Sequence, residues 1–149
     1  MEATKLMEIK EVMIEFNSQF EFELSDETEH KNWLIEVAKS ENREIEDLGF
    51  VFCTDNFLLD INQRYLEHDT LTDIITFDYC VGEILSGEIY ISIDRVRENA
   101  GQFNVEFITE LRRVMVHGLL HLCKYGDKED VEKKLMREKE SYYIAKFSK

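Results

Sequence analysis

The chain has 149 residues, no proline and a formal net charge of −14. This length predicts one domain, residues 1–149, which can bury a core without the help of disulfides or metal. The negative charge argues against indiscriminate nucleic-acid binding, because phosphates are repelled at long range. Contact with a nucleic acid would need a local basic patch, a metal ion or a basic partner.

The cysteines and the N-terminal residues predict the compartment. Cys53, Cys80 and Cys123 have apolar neighbours and form no CxxC pair, so we interpret them as buried, reduced thiols. Reduced thiols favour a reducing compartment. The first residues show no apolar signal segment, and no run approaches the roughly 20 apolar residues of a membrane span. We therefore expect a cytoplasmic protein without membrane contact.

The N-terminal half contains alternating strand and helix patterns. Residues 11–24 combine alternation with aromatic side chains, which predicts a first strand. Ser25, followed by acidic residues, predicts a capped helix start. The apolar run 49–53 predicts a buried strand, and residues 54–56 open a second helix.

The C-terminal half predicts a hairpin followed by helices. Residues 73–79 and 88–94 are rich in β-formers and flank turn residues, so they are expected to pair. A short helix over 95–100, a long helix over 104–124 and a last helix over 128–147 should follow. This order predicts an α/β (α+β) single domain in which a small mixed four-stranded sheet packs with about five helices.

Two histidines in the long predicted helix form the most informative motif. His117 and His121 lie four residues apart, so their Cβ atoms should be about 5–6 Å apart on one helix face. Two imidazoles there can each reach one metal ion at about 2.0–2.1 Å. Asp127 can supply a third ligand if Gly126 lets the chain turn back at the helix end. One position stays open for water, as in a catalytic zinc site.

The histidine pair and the polar residues around it also have simpler structural interpretations. The alternative for the histidine pair is a solvated helix face followed by an ordinary turn. Gly118 occupies the place of the glutamate in HExxH, which argues against a zinc peptidase and is expected to allow close packing on the sheet. We expect Glu110 to be a solvated glutamate, and His30 and His68 to be loop or surface histidines.

Four ordered blocks resemble the YbeY family of bacterial endoribonucleases: NQRY at 62–65, TDIITF at 72–77, GEIYIS at 87–92 and HGLLHL at 117–122. The resemblance implies a single-strand-specific, metal-dependent endoribonuclease that acts in ribosomal RNA maturation, especially at the 3′ end of 16S RNA, and in ribosome quality control. It also implies one Zn2+ per chain, held by His117, His121 and Asp127. Asp127 stands where many members of the family have a histidine.

The chain departs from the family pattern at three places near these blocks. One is Asp78, which stands where a proline usually follows the second block. The glycine usually found three residues after the second histidine is Lys124, and glycine stands instead at Gly126. This predicts a shifted helix break and leaves Glu129 or Asp130 as alternative third ligands. The arginine usual after the first block is Leu66, so that residue's catalytic role is not carried over.

Our hypothesis from the sequence is hydrolysis of an RNA phosphodiester by water bound to the metal at His117, His121 and Asp127. Arg113 and Lys124 share the histidine face and are predicted to contact flanking phosphates. The expected partners are single-stranded ribosomal RNA, the small ribosomal subunit and a basic ribosomal protein. The alternatives are a zinc hydrolase of peptides or small amides, and a non-enzymatic ribosome-assembly module with a structural metal.

Overall fold

The computed structural model describes residues 12–66 and 72–147. Within these ranges the predicted single α/β domain, with a mixed four-stranded sheet and five helices, is confirmed. The strands are β1 (Met13–Ser18), β2 (Glu44–Cys53), β3 (Ile74–Asp78) and β4 (Ile84–Ser92). The helices are α1 (Glu27–Ser40), α2 (Asp55–Leu66), α3 (Ile93–Phe103), α4 (Phe107–Leu122) and α5 (Asp130–Ala145).

The sheet has the strand order β1-β2-β4-β3. β2 is parallel to both β1 and β4, and these parallel pairs are joined by crossovers that contain α1 and α2. β3 is antiparallel to β4, which confirms the predicted hairpin. The sheet is therefore mixed, and β3 lies at the edge beside the helix that carries the two histidines.

Several boundaries differ from the sequence prediction. The first strand ends at Ser18, because the chain then turns and the Ser18 hydroxyl donates to the Phe22 carbonyl at 2.6 Å. The predicted cap at Ser25 is wrong: Asp26 precedes α1 in a left-handed conformation and makes no side-chain cap. α3 begins earlier than expected, because Ser92 caps it by accepting from the Arg95 amide at 3.2 Å.

β2 is longer than the predicted strand and begins at Glu44 rather than Gly49. The register against β4 shifts between Ile45 and Asp47. This irregularity leaves Glu46 and Asp47 both exposed, although they are adjacent in the chain. A strict two-residue alternation is thereby lost, which explains why the pattern of the sequence did not extend the strand.

The main core lies on one face of the sheet, beneath α1, α4 and α5. Fully buried large side chains from this core include Leu34, Leu48, Phe50, Ile89, Leu111 and Met115. Each such side chain contributes about 1.5–3 kcal/mol through burial. α2 covers the opposite face with a smaller cluster of Cys53, Leu58, Ile61 and Ile75. The sheet is thus covered on both faces, and α4 is fixed firmly against β3 and β4.

Gly118 explains how closely α4 approaches the sheet. A Cβ built at this position would lie 3.0 Å from side-chain carbons of Ile74 and of Ile89. The expected close packing is confirmed, and it brings the histidine-bearing turns of α4 near the start of β3.

The cysteines are free thiols in the described structure. Cys53 and Cys123 are buried, and burial raises the pKa of each to about 12, so both stay protonated at neutral pH. Cys80 is only partly buried. Among the described residues, no helix is long and apolar enough to cross a membrane.

We predict that Gly87→Ala destabilises the fold by about 1–3 kcal/mol, the usual cost of overpacking. Gly87 pairs with Asp78 of β3, and a Cβ there would overlap the backbone carbonyl oxygen of Phe77. Gly49→Ala is the matched control, because nothing lies within 4 Å of its added Cβ. Urea unfolding of both variants should show a loss only for Gly87→Ala; equal losses would contradict the role assigned to Gly87.

Candidate metal centre

α4 has an apolar stripe on one side and a half-buried polar face on another. Leu111, Met115 and Leu119 recur at helical spacing and are completely buried against the sheet. The side chains of His117 and His121 lie outside this stripe and are 20% and 28% exposed. Both histidines therefore line a groove.

Asp127 joins the two histidines. Its Oδ2 lies 3.2 Å from Nε2 of His117 and 3.1 Å from Nε2 of His121. One ligand atom from each of the three residues lies within 4.8 Å of the others, so together they could hold one metal ion. Glu129 and Asp130, the alternative third ligands, do not belong to this group; Glu129 instead caps α5.

The remaining ring nitrogen of each histidine is held by an acceptor. Nδ1 of His117 donates to Oε2 of Glu140 at 2.6 Å, and Nδ1 of His121 donates to the carbonyl oxygen of Tyr125 at 2.9 Å. A carboxylate and a carbonyl can only accept, so in the neutral imidazole the proton resides on Nδ1. Both Nε2 lone pairs are then directed toward Asp127, which is the tautomer that a metal ligand needs.

Glu140 contacts a candidate ligand and was missed by the sequence analysis. Its side chain is only 4% exposed, and its other oxygen accepts from Arg113 at 3.0 Å. Burial alone would lower the pKa of His117, but the hydrogen bond to Glu140 and the charges of Glu140, Asp127 and Asp73 raise it. The sequence carried one signal for Glu140. It lies four residues after Met136 and three before Tyr143, so it shares the helix face of these two buried residues.

The end of α4 is formed by Lys124 and not by Gly126. Lys124 has a left-handed φ of 78°, its amide donates to the His121 carbonyl, and the Tyr125 amide donates to the Leu120 carbonyl. This pair of hydrogen bonds is the Schellman motif. The predicted shift of the helix break is therefore wrong: the helix ends where a glycine would end it, with lysine in the strained position.

Gly126 serves a different purpose in the same loop. A Cβ at this position would lie 2.7 Å from the carboxyl carbon of Glu132. The Glu132 carboxylate accepts from the amides of Lys128 and Glu129 at 3.2 and 3.1 Å, and it completes the capping box of α5. Gly126 thus leaves room for the Glu132 carboxylate beside the loop that carries Asp127.

The loop is also tied to the body of the protein through Glu41, next to the end of α1. The Tyr125 hydroxyl donates to Glu41 at 2.6 Å, Lys139 donates at 2.9 Å, and the Tyr143 hydroxyl donates as well. Burial would raise the pKa of Glu41, but these three donors lower it, so the carboxylate is ionised at neutral pH. The Tyr125 carbonyl that orients His121 is therefore part of a firmly anchored segment.

The predicted phosphate-binding residues have partners within the protein. Arg113 donates to Glu140 and to the Ser141 hydroxyl. Lys124 pairs with Asp78 at 2.8 Å. Arg113 lines the groove beside the histidines, whereas Lys124 does not.

Two other expectations about polar residues are wrong. Glu110 is 4% exposed rather than solvated, because α5 packs beside it, and burial raises its pKa. His30 is completely buried rather than on the surface. Its Nδ1 donates to the Asp26 carbonyl at 2.8 Å, and its Nε2 accepts from Arg112 at 3.2 Å. His68 lies outside the described residues.

The three candidate ligands open into a groove of about 1030 Å³. Asp73, at the start of β3, and residues of α3 and α5 complete its walls. Burial raises the pKa of Asp73, although the charge of His117 opposes this. A metal ion held by His117, His121 and Asp127 would face this groove and would be accessible to a substrate.

Comparison with known proteins identifies the family of this chain. The family model described as Endoribonuclease YbeY matches residues 13–148. The chain belongs to the endoribonuclease YbeY family. The resemblance inferred from the four sequence blocks is thereby confirmed.

Individual members of the endoribonuclease YbeY family match over most of the chain. Endoribonuclease YbeY of Flavobacterium psychrophilum is 53% identical over 135 residues, which cover 91% of this chain and 96% of the relative. Endoribonuclease YbeY of Bacteroides thetaiotaomicron is 44% identical over 117 residues, with 78% and 85% covered. The solution structure of a Thermotoga maritima protein has 31% identity and a TM-score of 0.65, with 91% and 89% covered.

We predict that Lys124→Gly is more stable than Lys124→Ala by about 1–2 kcal/mol, the cost of a left-handed conformation for a residue with a Cβ. Both variants lose the exposed ion pair with Asp78. The difference between their free energies of unfolding therefore measures the cost of the left-handed backbone conformation at residue 124. Thermal unfolding of the two proteins measures it. Equal melting temperatures would mean that residue 124 carries no strain.

Proposed function

We propose that this member of the endoribonuclease YbeY family uses one zinc ion, held by His117, His121 and Asp127, to cleave single-stranded ribosomal RNA. The proposed substrate is the 3′ end of 16S RNA in the small ribosomal subunit, and the proposed role includes ribosome quality control in the cytoplasm. The net charge of −14 suits docking to a basic ribosomal protein.

One observation carries the zinc proposal: two imidazole Nε2 atoms and one carboxylate oxygen converge while both Nδ1 atoms are hydrogen-bonded. Nitrogen and oxygen donors of this kind suit Zn2+, and three protein ligands with an open side are typical of catalytic sites. A bound zinc would polarise a phosphoryl oxygen and lower the pKa of a water molecule. Within the chain, Glu140 and the Tyr125 carbonyl fix the rings, and Asp127 balances the charge of the ion.

The two alternative functions fit this site less well. A peptidase of the HExxH type needs a glutamate at position 118. In this protein a side chain at Gly118 would point into Ile74 and Ile89 of the sheet and not into the groove. A structural zinc usually has four protein ligands in a closed site. Here three ligands line an open groove, which favours catalysis over a purely structural metal.

We expect the purified protein to cleave a single-stranded RNA oligonucleotide, to lose this activity on chelation and to regain it when zinc is added. Asp127→Asn should reduce both bound zinc and cleavage at least 10-fold. Mutating a residue that only supports a metal ligand already lowers metal affinity about 10- to 100-fold, and Asp127 is proposed to be a ligand itself. Asp130→Asn is the matched control, since Asp130 is exposed and lies outside the group.

The same assay separates the proposal from its rivals. Cleavage of casein in place of RNA would support the peptidase. RNA cleavage that survives His117→Ala and chelation would contradict a metal mechanism. Equal losses in Asp127→Asn and Asp130→Asn would contradict the assigned third ligand.

Glu140→Gln should weaken zinc binding about 10- to 100-fold, because a neutral amide replaces the charged acceptor that holds His117. Glu138→Gln is the control: it removes the same charge from an exposed position of the same helix. Competition with a chromophoric chelator gives both dissociation constants. Indistinguishable values would show that Glu140 does not tune the metal site.

A further inference from the structure

One edge of the groove carries three basic side chains although the chain as a whole is strongly acidic. Lys128, Lys133 and Arg137 line this edge, from the loop before α5 into its second turn. Lys133 and Arg137 are four residues apart on the helix, so they share one face. This α5 edge brings three cations beside the candidate metal centre of a chain whose net charge is −14.

These three side chains are available to a ligand. Lys128 and Lys133 make no ion pair with any residue in the ranges 12–66 and 72–147. In the same ranges, the ion pair that Arg137 makes is a long one, 3.8 Å from Glu140, and its side chain is 58% exposed. By contrast, Arg113 forms an ion pair with Glu140 at 3.0 Å, and Lys124 forms one with Asp78 at 2.8 Å. Phosphate binding is therefore better assigned to the α5 edge than to the two residues that the sequence favoured.

Phe103 stands beside these cations. It is the last residue of α3, lines the same groove and is 50% exposed. The Arg137 guanidinium carbon lies 5.5 Å from the centre of its ring. An exposed aromatic ring next to an arginine is a surface on which an unpaired base can stack.

We propose that single-stranded RNA lies along the α5 edge, with its phosphates on Lys128, Lys133 and Arg137 and one base stacked on Phe103. This inference rests on the proposed function, since it supplies the path by which the RNA reaches the metal centre. It also accounts for single-strand specificity, because a base in a duplex is already stacked and paired and cannot lie against Phe103. The basic edge overcomes locally the repulsion that the whole chain exerts on phosphates.

The test is the salt dependence of binding to a 2′-O-methylated single-stranded RNA, measured by fluorescence anisotropy with the zinc-loaded full chain. A gel after each titration checks that the RNA is intact. For single strands the log–log slope is about −0.7 per phosphate contact. The double variant Lys133→Ala/Arg137→Ala should therefore lower the magnitude of the slope by about 1.4 and should weaken binding at least 10-fold at 0.1 M salt.

Lys134→Ala is the matched control. It removes the same charge from the neighbouring position of α5, which does not line the groove, and it should leave the slope unchanged. Phe103→Ala should weaken binding about 10-fold with no change of slope, and Phe103→Tyr, which keeps a ring, should restore the affinity.

The outcomes separate this inference from the proposed function. If the wild type cleaves RNA but the double variant and Lys134→Ala have the same slope, the α5 edge is not the path and the inference is overturned alone. If the predicted slopes appear but no variant or wild-type protein cleaves RNA, the binding path stands and the proposed function fails. Equal affinities for Phe103→Ala and Phe103→Tyr would overturn the stacking part.

Discussion

The candidate site depends on two hydrogen bonds that fix the histidine rings through Nδ1, the nitrogen that faces away from Asp127. Glu140 accepts from His117 at 2.6 Å, and the Tyr125 carbonyl accepts from His121 at 2.9 Å. The helical spacing of the histidines brings the rings together, but spacing alone does not choose which nitrogen faces the groove. The two acceptors make that choice, because they leave only Nε2 free in the neutral ring. Every chemical step proposed for the protein requires this choice.

The acceptors come from different parts of the fold, so the site couples the packing of three helices. Glu140 belongs to α5, and the loop that carries the Tyr125 carbonyl is anchored to Glu41 next to α1. Lys139 and Tyr143 of α5 reach the same carboxylate. The core beneath α1, α4 and α5 therefore does more than stabilise the domain. It holds the two acceptors in place before a metal arrives, so little reorganisation is needed on binding.

Local patterns predicted the parts of the protein that local contacts decide. Alternation identified the β3–β4 hairpin, and helical spacing identified α4 and the paired histidines; Asp127 lies beside these histidines in the structure. Glu140 was missed because it meets His117 across 23 residues of chain, through packing that no short pattern encodes.

Glu110 and Lys124 were misjudged for related reasons. Glu110 was expected to be solvated, because the sequence did not show that α5 would cover this part of α4. Lys124 adopts a conformation that glycine favours, because tertiary contacts around the loop outweigh the local preference.

The most direct measurement of the central claim is zinc X-ray absorption spectroscopy on the purified, zinc-loaded protein. We expect about four nitrogen or oxygen ligands near 2.0–2.1 Å, with the multiple-scattering signature of two imidazoles. The same spectrum recorded on Asp127→Asn should show a changed oxygen shell and the same two imidazoles. Sulfur scattering near 2.3 Å would place the zinc on the cysteines. That result, or a shell with no imidazole, would contradict the account.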